Sequence, residues 1–95
     1  MLLTIDVGNT NTVLGLFDGD DLVSSYRIKT DARSTADEYM LDFRGLLERQ
    51  PQVTGVALCS TVPAVLREMR AMLDRYYGDV PHVVIEPGAR TGVPV

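Results

Sequence analysis

The sequence predicts an α/β domain in which a three-stranded antiparallel meander is extended by parallel strands, with helices packed on the sheet. Two observations lead to this prediction. Short apolar runs bounded by turn residues occupy the N-terminal third and recur twice later, while two longer segments repeat their apolar residues at helical spacing. The predicted order is strand, strand, strand, helix, strand, helix, strand, and the alternation in its second half is typical of parallel strands.

The first three strands are expected at residues 2–5, 13–17 and 22–29. Asp18 and Gly19 form an Asp-Gly pair of the kind that closes hairpins, so the second strand should pair with both neighbours. The third strand alternates apolar and polar residues, which predicts one buried face and one solvent-exposed face. These two faces are Leu22, Tyr26 and Ile28 against Ser25, Arg27 and Lys29.

The first helix should begin at a capping box, in which a hydroxyl residue is followed three positions later by an acid. Thr35 with Glu38 has this spacing, and Ser34 with Asp37 is a competing register. Apolar residues then recur at helical spacing as far as the stop at residues 50–52, and we expect them to pack in the core. They are Tyr39, Met40, Phe43, Leu46 and Leu47.

The second half of the chain contains two further strands, at residues 56–59 and 82–86, with a helix between them. This helix should start at Pro63, because proline suits the first helical turn. Just before it, Ser60 and Thr61 are expected to cap the helix rather than to bind a ligand. The predicted apolar face of the helix consists of Val65, Leu66, Met69, Met72, Leu73 and Tyr76.

Composition indicates an ordinary globular domain, with 45% hydrophobic and 23% charged residues. The net charge of −4 argues against a nucleic-acid surface. No segment has the length of a membrane span, and the N-terminus lacks the basic start and long apolar core of a signal peptide. The single Cys59 excludes an internal disulfide and is compatible with a reducing compartment, so we expect a cytoplasmic protein.

The most informative segment lies between the first two predicted strands and reads Asp6-Val7-Gly8-Asn9-Thr10-Asn11-Thr12. Gly8 can take a positive φ or let a bound group approach the backbone, and successive N–H groups of such a turn can bind an anion. Asp6 can hold Mg²⁺, which prefers oxygen ligands and keeps several waters. A metal–nucleotide site needs these features, although a plain hairpin loop also favours glycine and asparagine.

This segment resembles the first phosphate motif of the superfamily that contains acetate and sugar kinases, actin and the large heat-shock chaperones. Placed at the N-terminus, it is most similar to the motif of type III pantothenate kinases. The resemblance extends to residues 17–19, 59–63 and 87–94 and therefore spans essentially the whole sequence. It implies a ribonuclease H-like domain, the fold class that the order of the predicted elements also describes.

The resemblance implies transfer of a phosphoryl group from ATP to the hydroxyl of pantothenate, the first step of coenzyme A biosynthesis. It also implies a monovalent cation (K⁺ or NH₄⁺) and a homodimer. A non-catalytic regulatory relative of the same family is the alternative. The resemblance implies that Mg²⁺ is held by Asp6 and that the nucleotide is bound by Asp6, Val7, Gly8, Asn9, Thr10, Asn11, Thr12 and Val13.

The length of the chain suits one domain, and we expect residues 1–95 to form a single N-terminal nucleotide-binding lobe of a longer, two-lobed kinase. The resemblance implies a catalytic and substrate-binding motif, Gly-Ala-Asp-Arg, that this sequence does not contain. The chain by itself should therefore be inactive. Near its end, Arg90 is a candidate contact for an anionic substrate, and Thr91 with Gly92 a candidate pocket wall.

The strand order also predicts where the site lies. If strands one and four are parallel, residues 6–12 meet Ser60 and Thr61 at one edge of the sheet, where ligands of open α/β sheets bind. A ribonuclease H-type nuclease would need several clustered carboxylates for two metal ions, and Asp6 is the only acid suitably placed on an early strand. The sequence therefore favours nucleotide binding over nuclease chemistry.

Overall fold

The computed structural model describes residues 1–85 of the 95-residue chain. The predicted order of elements is confirmed, and the elements are β1 (Leu2–Val7), β2 (Asn11–Asp18), β3 (Asp21–Lys29), α1 (Ala36–Leu47), β4 (Gly55–Ser60), α2 (Pro63–Tyr76) and β5 (His82–Ile85). Glu86, expected at the end of the last strand, and the candidate contacts Arg90, Thr91 and Gly92 lie outside the described residues.

The five strands form one sheet in the order β3-β2-β1-β4-β5. Strand β2 pairs antiparallel with both β1 and β3, whereas β4 pairs parallel with both β1 and β5. The predicted meander with its parallel extension is therefore confirmed. Because β1 lies at the centre, its carboxyl end is flanked by the start of β2 on one side and by the end of β4 on the other.

The core lies on one face of the sheet, which we call the helix face. Along β1 the buried residues are Leu3, Ile5 and Val7, because alternate side chains of a strand point to the same face. Both helices supply the opposing layer of this core. Their buried residues are Ala36, Tyr39, Phe43, Val65, Met69, Met72 and Leu73.

Alternate residues of the strands form the other face of the sheet, which we call the open face. Its apolar members include Leu2 (41% exposed), Val83 (54%) and Ile85 (38%), so the described helices do not cover this face. The central part of the open face is more tightly packed. There Gly15 lies so close to its neighbours that a Cβ atom built on it would be 2.7 Å from the Thr4 hydroxyl oxygen.

One part of the predicted pattern in β3 is wrong. Tyr26 and Ile28 are half-buried on the helix face as expected, but Leu22 is 55% exposed on the open face. The cause is a β-bulge, because Leu16 pairs with Ser24 while the next residue, Phe17, pairs with Leu22. The extra residue on β3 reverses the alternation, and Leu22 then lies beside Phe17.

The capping box that starts α1 uses the Thr35 register. The backbone N–H of Glu38 donates to the Thr35 hydroxyl (3.3 Å), and the N–H of Thr35 donates to the Glu38 carboxylate (2.9 Å). Four residues on, the hydroxyl of Tyr39 donates to the carbonyl of Asp31 (2.6 Å) from within the core, and burial raises the pKa of that phenol. The core position predicted for Tyr39 is thereby confirmed.

Tyr76 departs from the predicted apolar face of α2, because it is 39% exposed. Its hydroxyl donates to the carboxylate of Asp37 in α1 at 2.7 Å. A tyrosine at the end of a helix can pack its ring against the protein while its hydroxyl stays in solvent. Here the hydroxyl is hydrogen-bonded to the neighbouring helix. Neither α1 nor α2 is long and apolar enough to cross a membrane.

Candidate functional site

The loop between β1 and β2 is shorter than the sequence suggested. Both strands extend further than predicted, so Asp6 lies within β1 and Asn11 and Thr12 lie within β2. Only Gly8, Asn9 and Thr10 remain as the loop, which we call the hairpin loop. It is closed by a hydrogen bond in which the Gly8 N–H donates to the carbonyl of Asn11 (2.9 Å).

Space, rather than the φ angle, favours glycine at position 8. Within residues 1–85 only Gly19 has a φ in the left-handed region, at +60°, so neither Gly8 nor the two asparagines use that conformation. A Cβ atom at Gly8 would lie 3.2 Å from the carbonyl oxygen of Asn11. The positive φ angle is therefore wrong for Gly8, the close contact at this position is made by the chain itself, and the approach of a bound group stays a prediction.

Residues distant in sequence hold both ends of the hairpin loop. On the side of β1, the carbonyl of Val7 accepts a hydrogen bond from the N–H of Thr61 (3.3 Å). On the side of β2, the carbonyl of Thr10 accepts one from the N–H of Thr30 (2.9 Å). The carbonyl just before the loop and the carbonyl of its last residue are thus occupied, by the residue after β4 and by the residue after β3.

The amide groups at the tip of the hairpin loop have no such partners. In the described part of the chain, the N–H groups of Asn9 and Thr10 donate to no other protein group, and both residues are exposed. The side-chain amide of Asn11 donates to the Thr10 hydroxyl at 3.3 Å. The tip of the loop therefore presents two unused main-chain donors, and successive N–H groups of this kind can bind an anion.

The structure divides the predicted site residues between two environments. Asp6 is exposed on the open face, and among residues 1–85 its carboxylate makes no hydrogen bond or ion pair. Val13, its partner on β2, is half-buried beside it. Val7 and Thr12, in contrast, are buried on the helix face, so their side chains are not exposed at the surface.

The hydroxyl of Thr12 is already occupied. Its Oγ1 atom lies 2.8 Å from that of Thr30, and the two hydroxyls form a buried pair. Thr30 was not identified from the sequence. The available signal was weak: a hydroxyl residue directly after the third strand, which the meander brings next to the start of the second.

The predicted meeting of the two segments at the sheet edge is confirmed, because Val7 pairs with Ser60 across β1 and β4. The expectation that Ser60 and Thr61 cap α2 is wrong. The N-cap residue is Val62, and no side chain caps the helix. Ser60 lies too early to reach the first turn, and its hydroxyl instead accepts from the N–H of Val62 (3.1 Å) and donates to the carbonyl of the same residue (3.2 Å).

As a metal site, this edge offers a single carboxylate. No group of three or more His, Cys, Asp or Glu side chains suited to a metal ion occurs within residues 1–85. A single carboxylate fits Mg²⁺, which is commonly held by one or two carboxylates, with waters and substrate phosphates as the other ligands.

Comparison with known proteins identifies the family. A family model described as type III pantothenate kinase matches residues 2–95. The chain belongs to this family. A type III pantothenate kinase of Salinispora arenicola is 69% identical over 94 residues, which cover 98% of the chain and 37% of the relative. One of Frankia alni is 61% identical over 95 residues, which cover 100% of the chain and 38% of the relative.

The chain therefore spans somewhat more than a third of the length of the curated family members that it matches. Solved structures agree on the fold alone. The Lmo2764 protein of Listeria monocytogenes matches 90% of the chain, which corresponds to 34% of that protein, with a TM-score of 0.63 and 16% identity. Thermus thermophilus RuvC also matches 90% of the chain, 61% of its own length, with a TM-score of 0.55 and 22% identity. The ribonuclease H-like fold class is thereby confirmed.

Proposed function

We propose that this chain is the N-terminal, phosphate-binding lobe of a two-lobed kinase that transfers a phosphoryl group from ATP to pantothenate, the first step of coenzyme A biosynthesis. Membership of the type III pantothenate kinase family supports the reaction. The observation that supports the role of this lobe is the hairpin loop, whose Asn9 and Thr10 amides are unused while its flanking carbonyls are bound.

In this proposal the hairpin loop binds the phosphates of ATP through main-chain N–H groups. Gly8 lets the loop remain tight, while the Thr10 hydroxyl and the Asn11 amide add side-chain donors. Val7, Thr12 and Val13 contribute by holding the two strands in register rather than by contact through their side chains. Fixed donors of this kind stabilise charge without reorganising during the reaction.

Asp6 is proposed to hold Mg²⁺, directly or through a bound water. It lies on β1 immediately before the loop, it is exposed, and its carboxylate is unpaired within the described part of the chain. When bound, the metal ion would neutralise negative charge on the phosphoryl group being transferred. The carboxylate of Asp6 thereby places a cation next to the anion-binding loop.

Three further properties are proposed on family grounds, namely a monovalent cation (K⁺ or NH₄⁺), a homodimer and a cytoplasmic location. No residue among positions 1–85 is assigned to the cation or to the dimer. The catalytic groups and most of the substrate-binding groups are also proposed to lie in the part of the longer protein that this chain does not include, since the chain covers 37% of the Salinispora arenicola relative.

A chimera tests the proposal, with this chain replacing the matching segment of the Salinispora arenicola relative. We expect ATP consumption that depends on pantothenate and not on other small alcohols. The isolated 95-residue chain should show none. Binding of ATP without turnover in the chimera would favour the non-catalytic relative, and turnover by the isolated chain would contradict its assignment as an incomplete lobe.

The role of Asp6 is tested in the same chimera by Asp6→Asn, with Asp20→Asn as the matched control. Asp20 is an exposed acid in the turn at the other end of β2, so the control makes the same chemical change away from the site. Loss of a carboxylate ligand should lower kcat by roughly a hundredfold or more, with a raised requirement for Mg²⁺. Equal rates for both variants across a Mg²⁺ titration would remove Asp6 from the metal site.

A further inference from the structure

We propose that Thr30 is a positioning residue for ATP, which acts on the hairpin loop through Thr10 and Thr12. The inference rests on the proposed function, because it concerns how this loop is held for phosphate binding. Thr30 itself lies below the surface, with 9% of its area exposed, and would not contact the nucleotide. Nothing in the resemblance to the family pointed to this residue.

Thr30 is joined to the loop strand by two separate hydrogen bonds. Its backbone N–H donates to the carbonyl of Thr10 at 2.9 Å, and its hydroxyl lies 2.8 Å from that of Thr12. The first bond fixes the last residue of the hairpin loop, and the second fixes the strand two residues further on. Together they determine the direction in which the chain leaves the loop.

Within the described residues, the hydroxyls of Thr12 and Thr30 have no hydrogen-bond partner other than each other. Thr12 has no exposed surface, and within residues 1–85 no buried side-chain nitrogen or oxygen lacks a hydrogen-bond partner. Each hydroxyl is therefore satisfied by the other. Replacing Thr30 by valine keeps the shape of the side chain but leaves the Thr12 hydroxyl buried without a partner, and such a group gains by moving toward water.

Any such movement would be transmitted to the loop. On the side of β1, the loop is held by the Thr61 N–H at Val7, and that bond does not involve Thr30. A shift confined to the side of β2 would change the angle between the Thr10 carbonyl and the neighbouring amides. Misplacement of binding groups by an ångström is enough to lower rates substantially.

The test uses the full-length chimera, with Thr30→Val, Thr30→Ser and, as the matched control, Thr4→Val. Thr4 is also a threonine of the sheet whose hydroxyl makes a hydrogen bond, donating to the carbonyl of Gly15 at 3.4 Å, but it lies away from the loop. For Thr30→Val we expect the KM for ATP to rise about three- to tenfold. The KM for pantothenate should stay unchanged, and Thr30→Ser should restore the wild-type value because it keeps the hydroxyl.

A second measurement does not depend on catalysis. In the chimera, hydrogen exchange of the Thr30 amide reports the bond to the Thr10 carbonyl, and we expect it to accelerate in Thr30→Val but not in Thr4→Val. Unchanged exchange together with an unchanged KM for ATP would overturn the role of Thr30. An inactive wild-type chimera would count against the proposed function instead, and the exchange rates alone would then decide whether Thr30 holds the loop.

Discussion

The carboxylate of Asp37 in the first turn of α1 lies 2.5 Å from the guanidinium of Arg75 in the last turn of α2. The same carboxylate oxygen accepts a hydrogen bond from the Tyr76 hydroxyl. This contact joins the two helices at the outer rim of the core. The hydrogen bond from Tyr76, followed by that from Arg75, lowers the pKa of Asp37 below its ordinary value of 3.8.

The contact predicts a pH-dependent contribution to stability. A carboxyl group whose pKa is lowered by folding stabilises the native state above its unfolded pKa, and that contribution is lost as the pH falls through the lowered folded value. Asp37→Asn should therefore lower Tm at pH 7, and the difference from wild type should shrink below about pH 4. Because the groups are exposed, 1 M salt should reduce the difference as well.

Thermal unfolding of the wild type, Asp37→Asn and Asp42→Asn between pH 2.5 and 7 checks this. Asp42 is an exposed acid of the same helix, so Asp42→Asn makes the same change in charge without removing the inter-helix contact. The two variants are expected to differ at neutral pH and to converge in acid. A constant gap between Asp37→Asn and the wild type over the whole pH range would refute the ionic origin.

Alanine substitutions at Gly15 and Gly45 are expected to change the free energy of unfolding in opposite directions. At Gly15 a Cβ would lie 2.7 Å from the Thr4 hydroxyl oxygen and 3.3 Å from the Phe17 ring, so Gly15→Ala should destabilise the domain by about 1–3 kcal/mol through overpacking. At Gly45, inside α1, a Cβ would meet nothing within 4 Å. Gly45→Ala should stabilise the helix by roughly 0.5–1 kcal/mol, because alanine has the higher helix propensity.

Urea unfolding of both glycine variants measures these free energies, and each variant serves as the control for the other. If Gly15→Ala were as stable as the wild type, the open face around Thr4 would have to be looser than its packing indicates. A destabilising Gly45→Ala would contradict the open surroundings of this position in α1.

Valine substitutions at Gly8 and Gly19 separate an effect on ATP binding from an effect on the stability of the fold. Gly8→Val should weaken ATP binding in the chimera, because its Cβ would press on the Asn11 carbonyl 3.2 Å away and open the hairpin loop. Gly19→Val, in the hairpin at the other end of β2, should destabilise the fold by about 1–2 kcal/mol through its φ of +60°. It should leave the affinity for ATP unchanged, since Gly19 is far from the loop along the strand.

Calorimetric titration with ATP, together with thermal unfolding of the same samples, distinguishes the two glycines. The expected pattern is a loss of affinity for Gly8→Val and a loss of stability alone for Gly19→Val. If both variants bound ATP like the wild type, the loop after β1 would be an ordinary hairpin turn, the alternative that its glycine and asparagines also allow.

The sequence by itself determined the order of the elements, the antiparallel meander with its parallel extension, and the presence of a capping box at the start of α1, although the structure chose its Thr35 register over that of Ser34. These features depend on short-range rules, namely the periodicity of apolar residues, the turn residues and the spacing of a capping box, and all of them can be read within a few positions. The placement of the candidate site at the edge shared by β1 and β4 followed from the same information.

Only the tertiary structure decided which side chains reach that edge. The bulge that turns Leu22 outward, the burial of the Thr12 hydroxyl against Thr30, and the bond from Tyr76 to Asp37 all depend on the register between elements distant in sequence. A shift of one residue in register reverses the face on which every later side chain of a strand lies. The chain order alone therefore located the loop, while the pairing of the strands determined which residues in and around it are exposed and which are buried.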